Sequence, residues 1–334
     1  MIADYHARAI AETRGGHLVG VVGRSLEKAR DFAKKHHAPF WTTDLGELLA
    51  RPDIQVVCIT TPNGAHLDPA VAAAHAGKHL VVEKPIEVTL DRIDAILRAV
   101  DEAKVKLAPI FQGRFGKNAR LLKTAIDSGR FGRLCLAGAY VKWQRTAEYY
   151  KRGWHGKHEL DGGGAYMNQA IHAIDLLQWF AGMPSEVFSW SARCVHTEIE
   201  GEDTAVATLR FANGSLGTIE ASTAVYPGWS QCIEICGENG SARLEDDRLA
   251  RWEFRKPHAD DASILAAQAD NTMRSGASAP NAISHDGHRR QIQDLIDALR
   301  ENRPLAIDGR EARKAVALIC GLYESAARNA PVSL

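Results

Sequence analysis

The chain carries no net charge: 41 basic side chains stand against 41 acidic ones in 334 residues. It also has no run of Lys and Arg longer than pairs such as Lys34-Lys35 and Arg289-Arg290. A cationic footprint for a nucleic-acid backbone is therefore missing, and nucleic acid is not an expected partner. No apolar stretch reaches the length of a membrane span, and no basic-then-apolar leader opens the chain, so the cytoplasm is the expected compartment. The six cysteines are scattered, and the one close pair, Cys232 and Cys236, lacks the CxxC spacing. They read as core thiols in a reducing environment, and no metal site is expected. What is present is ordinary globular composition, 45% hydrophobic and 25% charged, at a length that suits two domains.

The first hundred or so residues alternate short apolar runs with amphipathic stretches. Strands are expected at His17–Val22, Gln55–Thr60, His79–Val82 and Lys106–Phe111, rich in Val, Ile and Leu as strands buried on both faces are. Helices fill the gaps at Ser25–His37, Asp44–Arg51 and Asp91–Lys104, the last with Ile93, Ile96, Leu97 and Val100 at helical spacing. From Leu134 the pattern changes to alternating strands, Leu134–Trp143, Glu186–His196, Thr204–Phe211, Ser215–Ser222 and Gln231–Gly237, with Asn213-Gly214 and Asn239-Gly240 as turn signals. One helix is expected at Tyr166–Ala181 and two more at His288–Arg300 and Arg310–Arg328, whereas 256–284 shows no period and reads as loop. The expected fold class is thus an α/β parallel-sheet half followed by an α+β half built on a mostly antiparallel sheet.

The chain opens directly on a helical pattern, with Ile2, Ala3, His6, Ala7 and Ile10 on one face. In a dinucleotide-binding βαβ unit, a strand and a glycine-rich phosphate turn precede such a helix, and neither occurs here. The expectation is that Met1 is an internal methionine of a longer reading frame.

Two clusters carry chemistry. Thr61-Pro62-Asn63 follows a strand and His66 opens the next helix, where backbone amides can face a phosphate or ribose. Farther on, Glu83-Lys84-Pro85 ends a buried strand, the edge at which open α/β sheets bind ligands. Pro85 biases Lys84 towards an extended conformation and is compatible with a cis turn. In the second cluster, Asp161-Gly162-Gly163-Gly164 leads into a helix on which Asn168, His172 and Asp175 fall at i, i+4 and i+7. The glycines leave room for another molecule to approach the backbone.

Together Thr-Pro-Asn with His66, Gly77-Lys78-His79 leading to Glu83-Lys84-Pro85, Arg114-Phe115-Gly116, Gly129-Arg130-Phe131-Gly132, Trp154 before the glycines, and Asn168-Gln169-Ala170-Ile171-His172 resemble the Gfo/Idh/MocA family of sugar and inositol oxidoreductases. The resemblance runs over essentially the whole chain. It implies a Rossmann-like domain over 1–113, a substrate and oligomerisation domain over 114–305, and a C-terminal helix in 306–334 packing back on the first domain. It further implies a nicotinamide cofactor, a small carbohydrate or cyclitol substrate, and a homodimer or homotetramer formed through the C-terminal sheet.

By the same resemblance Lys84 hydrogen-bonds the reacting hydroxyl and His172 shares its proton traffic. Oxidising a secondary alcohol requires a group to take the O–H proton as hydride leaves carbon, and a cation to stabilise the developing alkoxide. Asn168, often Asp in the family, cannot be a base and is expected to orient the substrate, with Asp175 supporting His172 or the helix. Gln112 and Trp154 are expected beside the nicotinamide, although His155 stands where the family commonly has Arg. Arg114, Arg145, Tyr149 and Tyr150 are candidate sugar-binding groups. Gly23-Arg24-Ser25, at the end of the first expected strand, lacks the carboxylate that would hold a free ribose. Arg24 and Ser25 there suit a 2′-phosphate, so NADP is favoured over NAD. A competing expectation is a non-catalytic ligand-binding or assembly protein of the same fold that has lost the phosphate turn.

Overall fold

The computed structural model describes residues 2–151, 153–268 and 284–334. They fall into two compact units, Met1–Gln112 with Ser284–Arg313, and Gly113–Ile283 with Lys314–Leu334.

In chain order the first unit contributes α1 (Ile2–Ala11), β1 (Gly20–Val22), α2 (Leu26–Lys35), β2 (Phe40–Thr42), α3 (Leu45–Leu49), β3 (Val56–Ile59), α4 (Leu67–His75), β4 (His79–Val82), α5 (Leu90–Ala103) and β5 (Leu107–Pro109). Each helix has a local cause. Ser25 caps α2 by accepting a hydrogen bond from the Lys28 amide, and Thr89 caps α5 through the Arg92 amide. The apolar stripe Ile93, Ile96, Leu97 and Val100 of α5 is buried.

The strands are parallel but form two sheets. β1 pairs with β2, and β3, β4 and β5 form a second sheet in that order. Among the described residues no ladder joins β1 to β3, so each presents an unpaired edge. The burial follows suit. β4 and β5 are almost wholly buried, whereas Val56 and Cys58 of β3 are half-buried and Val22 of β1 is exposed. The first-strand expectation of His17–Val22 shortens accordingly to three residues.

The second unit contains α6 (Lys117–Asp127), β6 (Leu134–Lys142), α7 (Ala147–Lys151), α8 (His158–Asp161), a π-turn (Ala165–Ala170), α9 (Ile171–Ala181), β7 (Pro184–Ala192), β8 (Thr204–Phe211), β9 (Leu216–Ser222), β10 (Cys232–Gly237), β11 (Gly240–Glu245), β12 (Arg248–Phe254) and α10 (Asp261–Ala266). The chain closes with α11 (Asp286–Arg300), α12 (Gly309–Arg328) and β13 (Val332–Ser333). α11 belongs to the first unit and packs there on α1 and β5, where Ile292 and Leu295 join Ala9, Val81, Ala108 and Ile110 in one apolar cluster. Eight strands form a single sheet in the order β12-β11-β10-β6-β9-β8-β7-β13, antiparallel except for the β6–β9 pair. α9 covers one face, against β6 and β10.

Three expectations change. The helix expected at Tyr166–Ala181 begins as a π-turn, so Asn168 and His172 are not related by simple α-helical spacing. The strand pair β11 and β12 is hidden in the sequence because Arg243, Glu245, Arg248, Arg251 and Glu253 interrupt its apolar positions. In the segment that reads as loop, 261–266 is helical, while 269–283 lies outside the described residues.

Candidate active site

In the first unit the carboxyl end of β4 delivers Glu83 and Lys84, and the Lys84-Pro85 bond is cis. Glu83 is buried, and two imidazoles reach one of its oxygens: His6 Nε2 of α1 lies 2.7 Å and His288 Nε2 of α11 lies 3.3 Å from Oε1. Burial alone would raise this carboxyl, but the hydrogen bonds from His288 and His6 outweigh it and hold the group well below the ordinary carboxylate range. Its second oxygen accepts from the Lys84 amide at 3.2 Å, so the trio fixes the backbone from which Lys84 projects.

The same trio is the one group among the described residues with metal-ligating character, its donor atoms lying within 4.8 Å of one another. Metal-bound imidazoles ordinarily donate from their other nitrogen to an acceptor. Here Nδ1 of both His6 and His288 is buried with no hydrogen-bond partner among the described residues, and the trio reads as two imidazoles donating to one carboxylate.

His66 is wholly buried and joins two loops. Its Nε2 lies 3.0 Å from the Thr61 carbonyl, and its Nδ1 lies 2.9 Å from that of Pro85. Glu87 accepts from the amides of His66, Leu67 and Val88 and from Arg92, anchoring the start of α4. Thr61 spends its hydroxyl on the Ala65 carbonyl, while Asn63 is buried. These residues, with Pro62 between them, hold the loop; Thr61 and His66 act through its backbone rather than by side chains turned outward. Arg24 is exposed at the end of β1, whereas the Ser25 hydroxyl is engaged as the α2 cap. Gln112 offers a buried Oε1 with no partner among the described residues. That orphaned acceptor suits an amide donor such as the carboxamide of a nicotinamide, so the residues present fit this half of the cofactor.

In the second unit a polar cluster gathers around Tyr149 of α7. Asn168 Nδ2 and Gln169 Nε2, both of the π-turn, donate to the Tyr149 hydroxyl at 3.4 and 3.2 Å. That hydroxyl lies 3.3 Å from His155 Nδ1, and the two rings stack with centroids 4.3 Å apart. Trp154 tilts against His155, and Asp161 Oδ2 lies 3.7 Å from the imidazole. Burial pushes the Tyr149 phenol upward and so keeps it neutral. Tyr150 binds the Thr223 hydroxyl at 2.7 Å. Arg145 is buried with its guanidinium over Trp143 and Tyr149. His172 comes next, on the first turn of α9, half-buried.

Arg114 is not part of this cluster. It makes a paired hydrogen bond to Asp175 and lies over the Trp179 ring, so its guanidinium serves the packing of α9 rather than a sugar. Asp175 in turn serves Arg114. The glycine run does permit a close approach, but by the chain itself: a Cβ on Gly164 would sit 1.8 Å from the Glu202 carbonyl, and one on Gly163 would sit 2.1 Å from the Tyr323 hydroxyl. Sequence reasoning missed Gln169 and His155 as cluster members. The signal for Gln169 is hidden by α-helical spacing, which would turn it away from Asn168.

Residues 1–111 match the oxidoreductase family with the NAD-binding Rossmann fold, and residues 119–243 match the GFO/IDH/MocA C-terminal domain. The WlbA dehydrogenase from Bordetella pertussis, solved in complex with NADH and UDP-GlcNAcA, superposes with a TM-score of 0.90 at 34% identity, over 100% of this chain and 94% of that one. The chain belongs to the Gfo/Idh/MocA family. It is therefore an oxidoreductase with an NAD-binding fold. The WlbA dehydrogenase from Chromobacterium violaceum, also with NADH and UDP-GlcNAcA, gives a TM-score of 0.88 at 32% identity over 100% of this chain and 93% of that one. Inositol 2-dehydrogenase of Rhizobium meliloti is 26% identical over 100% of this chain and 96% of its own length. Within this family of sugar, cyclitol and sugar-nucleotide dehydrogenases, the present chain shows no helix among its described residues long and apolar enough to cross a membrane.

Proposed function

We propose that this family member oxidises a secondary hydroxyl on the uronic acid of a nucleoside-diphosphate sugar, or reduces the corresponding ketone. The observation that carries the reading is its likeness over the whole chain to two dehydrogenases solved with UDP-GlcNAcA. The second unit supports it with neutral hydrogen-bonding groups at Tyr149, Asn168 and Gln169, suited to sugar hydroxyls, and with the buried cation of Arg145, suited to a substrate carboxylate.

The nicotinamide, when bound, exchanges hydride with the substrate carbon. Lys84 supplies the positive charge that favours an alkoxide, and His172 takes or returns the hydroxyl proton. Asn168 has no proton to move and orients the sugar. Glu83, held ionised by its two imidazoles, fixes the backbone at Lys84. Gln112 and the Thr61–Asn63 loop would hold the cofactor, and the exposed Arg24 favours a 2′-phosphate, hence NADP(H), since no carboxylate stands at the end of β1.

The test is calorimetric titration of NADPH and NADH into the purified chain, followed by turnover assays with UDP-GlcNAcA and with myo-inositol. Turnover of the sugar nucleotide alone supports the reading. Cofactor binding with turnover of inositol and none of the sugar nucleotide overturns the substrate class.

A further inference from the structure

We infer that Glu202, on the loop between β7 and β8, is a positioning residue that, with Tyr323 of α12, fixes the π-turn carrying Asn168 and Gln169. The inference rests on the proposed function for its consequence in turnover, and on geometry alone for the clamp itself.

Three successive amides at the head of the π-turn are all bound by Glu202. Gly164 N donates to Oε2 at 3.1 Å, Tyr166 N donates to Oε1 at 2.8 Å, and Ala165 N donates to the Glu202 carbonyl at 2.9 Å. Amides at the start of a helical segment have no partners within it, and a negative charge is favoured there. The Tyr323 hydroxyl donates to Oε1 at 3.1 Å and itself accepts from Gly164 N at 3.3 Å, so it closes the arrangement from the far side. Contact is backbone to backbone: a Cβ on Gly201 would lie 2.5 Å from the Gly163 carbonyl carbon. This is the physical reason for the glycine run, which a substrate-binding role does not explain.

The clamp leads directly into the polar cluster around Tyr149. Tyr166 is wholly buried and its hydroxyl reaches Ser189 Oγ at 3.2 Å, which pins the first turn. Two and three residues later, Asn168 and Gln169 meet the Tyr149 hydroxyl at the long end of hydrogen-bond distance, so a small rotation of the turn breaks both contacts. π-turns wind wider than α-helices and are held by their surroundings. Here the turn is buried against β6, β8 and β9, and one carboxylate and one phenol hold its leading amides.

Burial pushes Glu202 up to about 7. The titratable groups facing it are the phenols of Tyr166 and Tyr323, both raised by burial and therefore neutral throughout the working range. Protonating Glu202 turns one of its oxygens into a donor and leaves three donors competing for fewer acceptors.

The test uses the full chain and the variants Glu202→Gln and Tyr323→Phe. Hydrogen exchange of the 164–170 amides is expected to quicken in both, more in Glu202→Gln, with NADPH affinity unchanged. With sugar nucleotide, kcat is expected to fall on the order of ten- to a hundred-fold for Glu202→Gln, KM changing less, as for a misplacement of about 1 Å. Unchanged exchange over 164–170 in both variants would overturn the clamp. A wild-type chain that turns over no sugar nucleotide defeats the proposed function instead, and the exchange data decide the clamp regardless.

Discussion

Arg114 grips Asp175 through two parallel hydrogen bonds, Nε to Oδ2 at 2.7 Å and Nη2 to Oδ1 at 2.6 Å, with both side chains almost wholly buried. The pair joins the short turn before α6 to α9, and Gln178 Nε2 adds a third donor to the carboxylate. Removing one partner strands the other's charge in the interior. Arg114→Ala and Asp175→Ala are each expected to cost about 3–5 kcal/mol of stability. Urea unfolding of the two single variants and the double variant checks this: the double variant should cost clearly less than the sum of the singles.

Glu202 imposes a pH dependence of the opposite sense to that of most carboxylates. Its folded pKa is raised from 4.5 to about 7, so between those values the native state holds a proton that the unfolded chain has released. Stability from this group is therefore fully present below pH 4.5 and is lost as pH rises through 7, by about 3 kcal/mol at most. Gln keeps the neutral shape at every pH. Glu202→Gln should match the wild-type chain in urea unfolding at pH 4.5 and exceed it at pH 8. A variant that is more stable yet slower would separate positioning from folding.

Much of this is legible in the sequence because periodicity reports burial. The strand Thr204–Phe211 alternates so cleanly that its bounds are those of β8, and the α5 stripe faces the core as its spacing demands. The site is less legible, because its contacts are not local. Nothing near Glu83 announces that His6, 77 residues away, and His288 close upon it. Nor does the Gly162–Gly164 run say what approaches it. It reads as room for a ligand, and the space is taken by Glu202 and Tyr323. Arg114 likewise looks like a sugar contact until Asp175, 61 residues on, claims its guanidinium. The π-turn is invisible for a different reason: one extra residue per turn changes which side chains share a face without changing composition.

For turnover, Lys84→Ala and His172→Ala should each lower kcat by about 10²–10⁴-fold, as expected when a proton-transfer or charge-stabilising group is lost from the transition state. Because Lys84 is half-buried beside a firmly held Glu83, its removal should leave the fold intact. Steady-state kinetics with sugar nucleotide, together with NADPH titration of each variant, checks the assignment. Turnover within a few-fold of the wild-type chain in either variant rejects the role given to that residue.

The face of the eight-stranded sheet opposite α9 carries exposed apolar side chains in register. Leu136 of β6 stands beside Leu216 of β9, and Trp190 of β7 stands beside Val206 of β8, and all four are 42–54% exposed. On the covered face the same strands bury Ala137, Ala139, Ile219 and Leu209, so the alternation that should place polar groups outward fails at these four positions. A patch of this kind on a sheet favours a second apolar surface over water. A second copy of the chain packed through this sheet supplies one by symmetry, each copy offering the same face. Sedimentation of the wild-type chain is expected to give a dimer or tetramer, and Leu136→Asp with Leu216→Asp is expected to give monomers of unchanged secondary structure. An oligomer that survives both charges would place the interface elsewhere on the molecule.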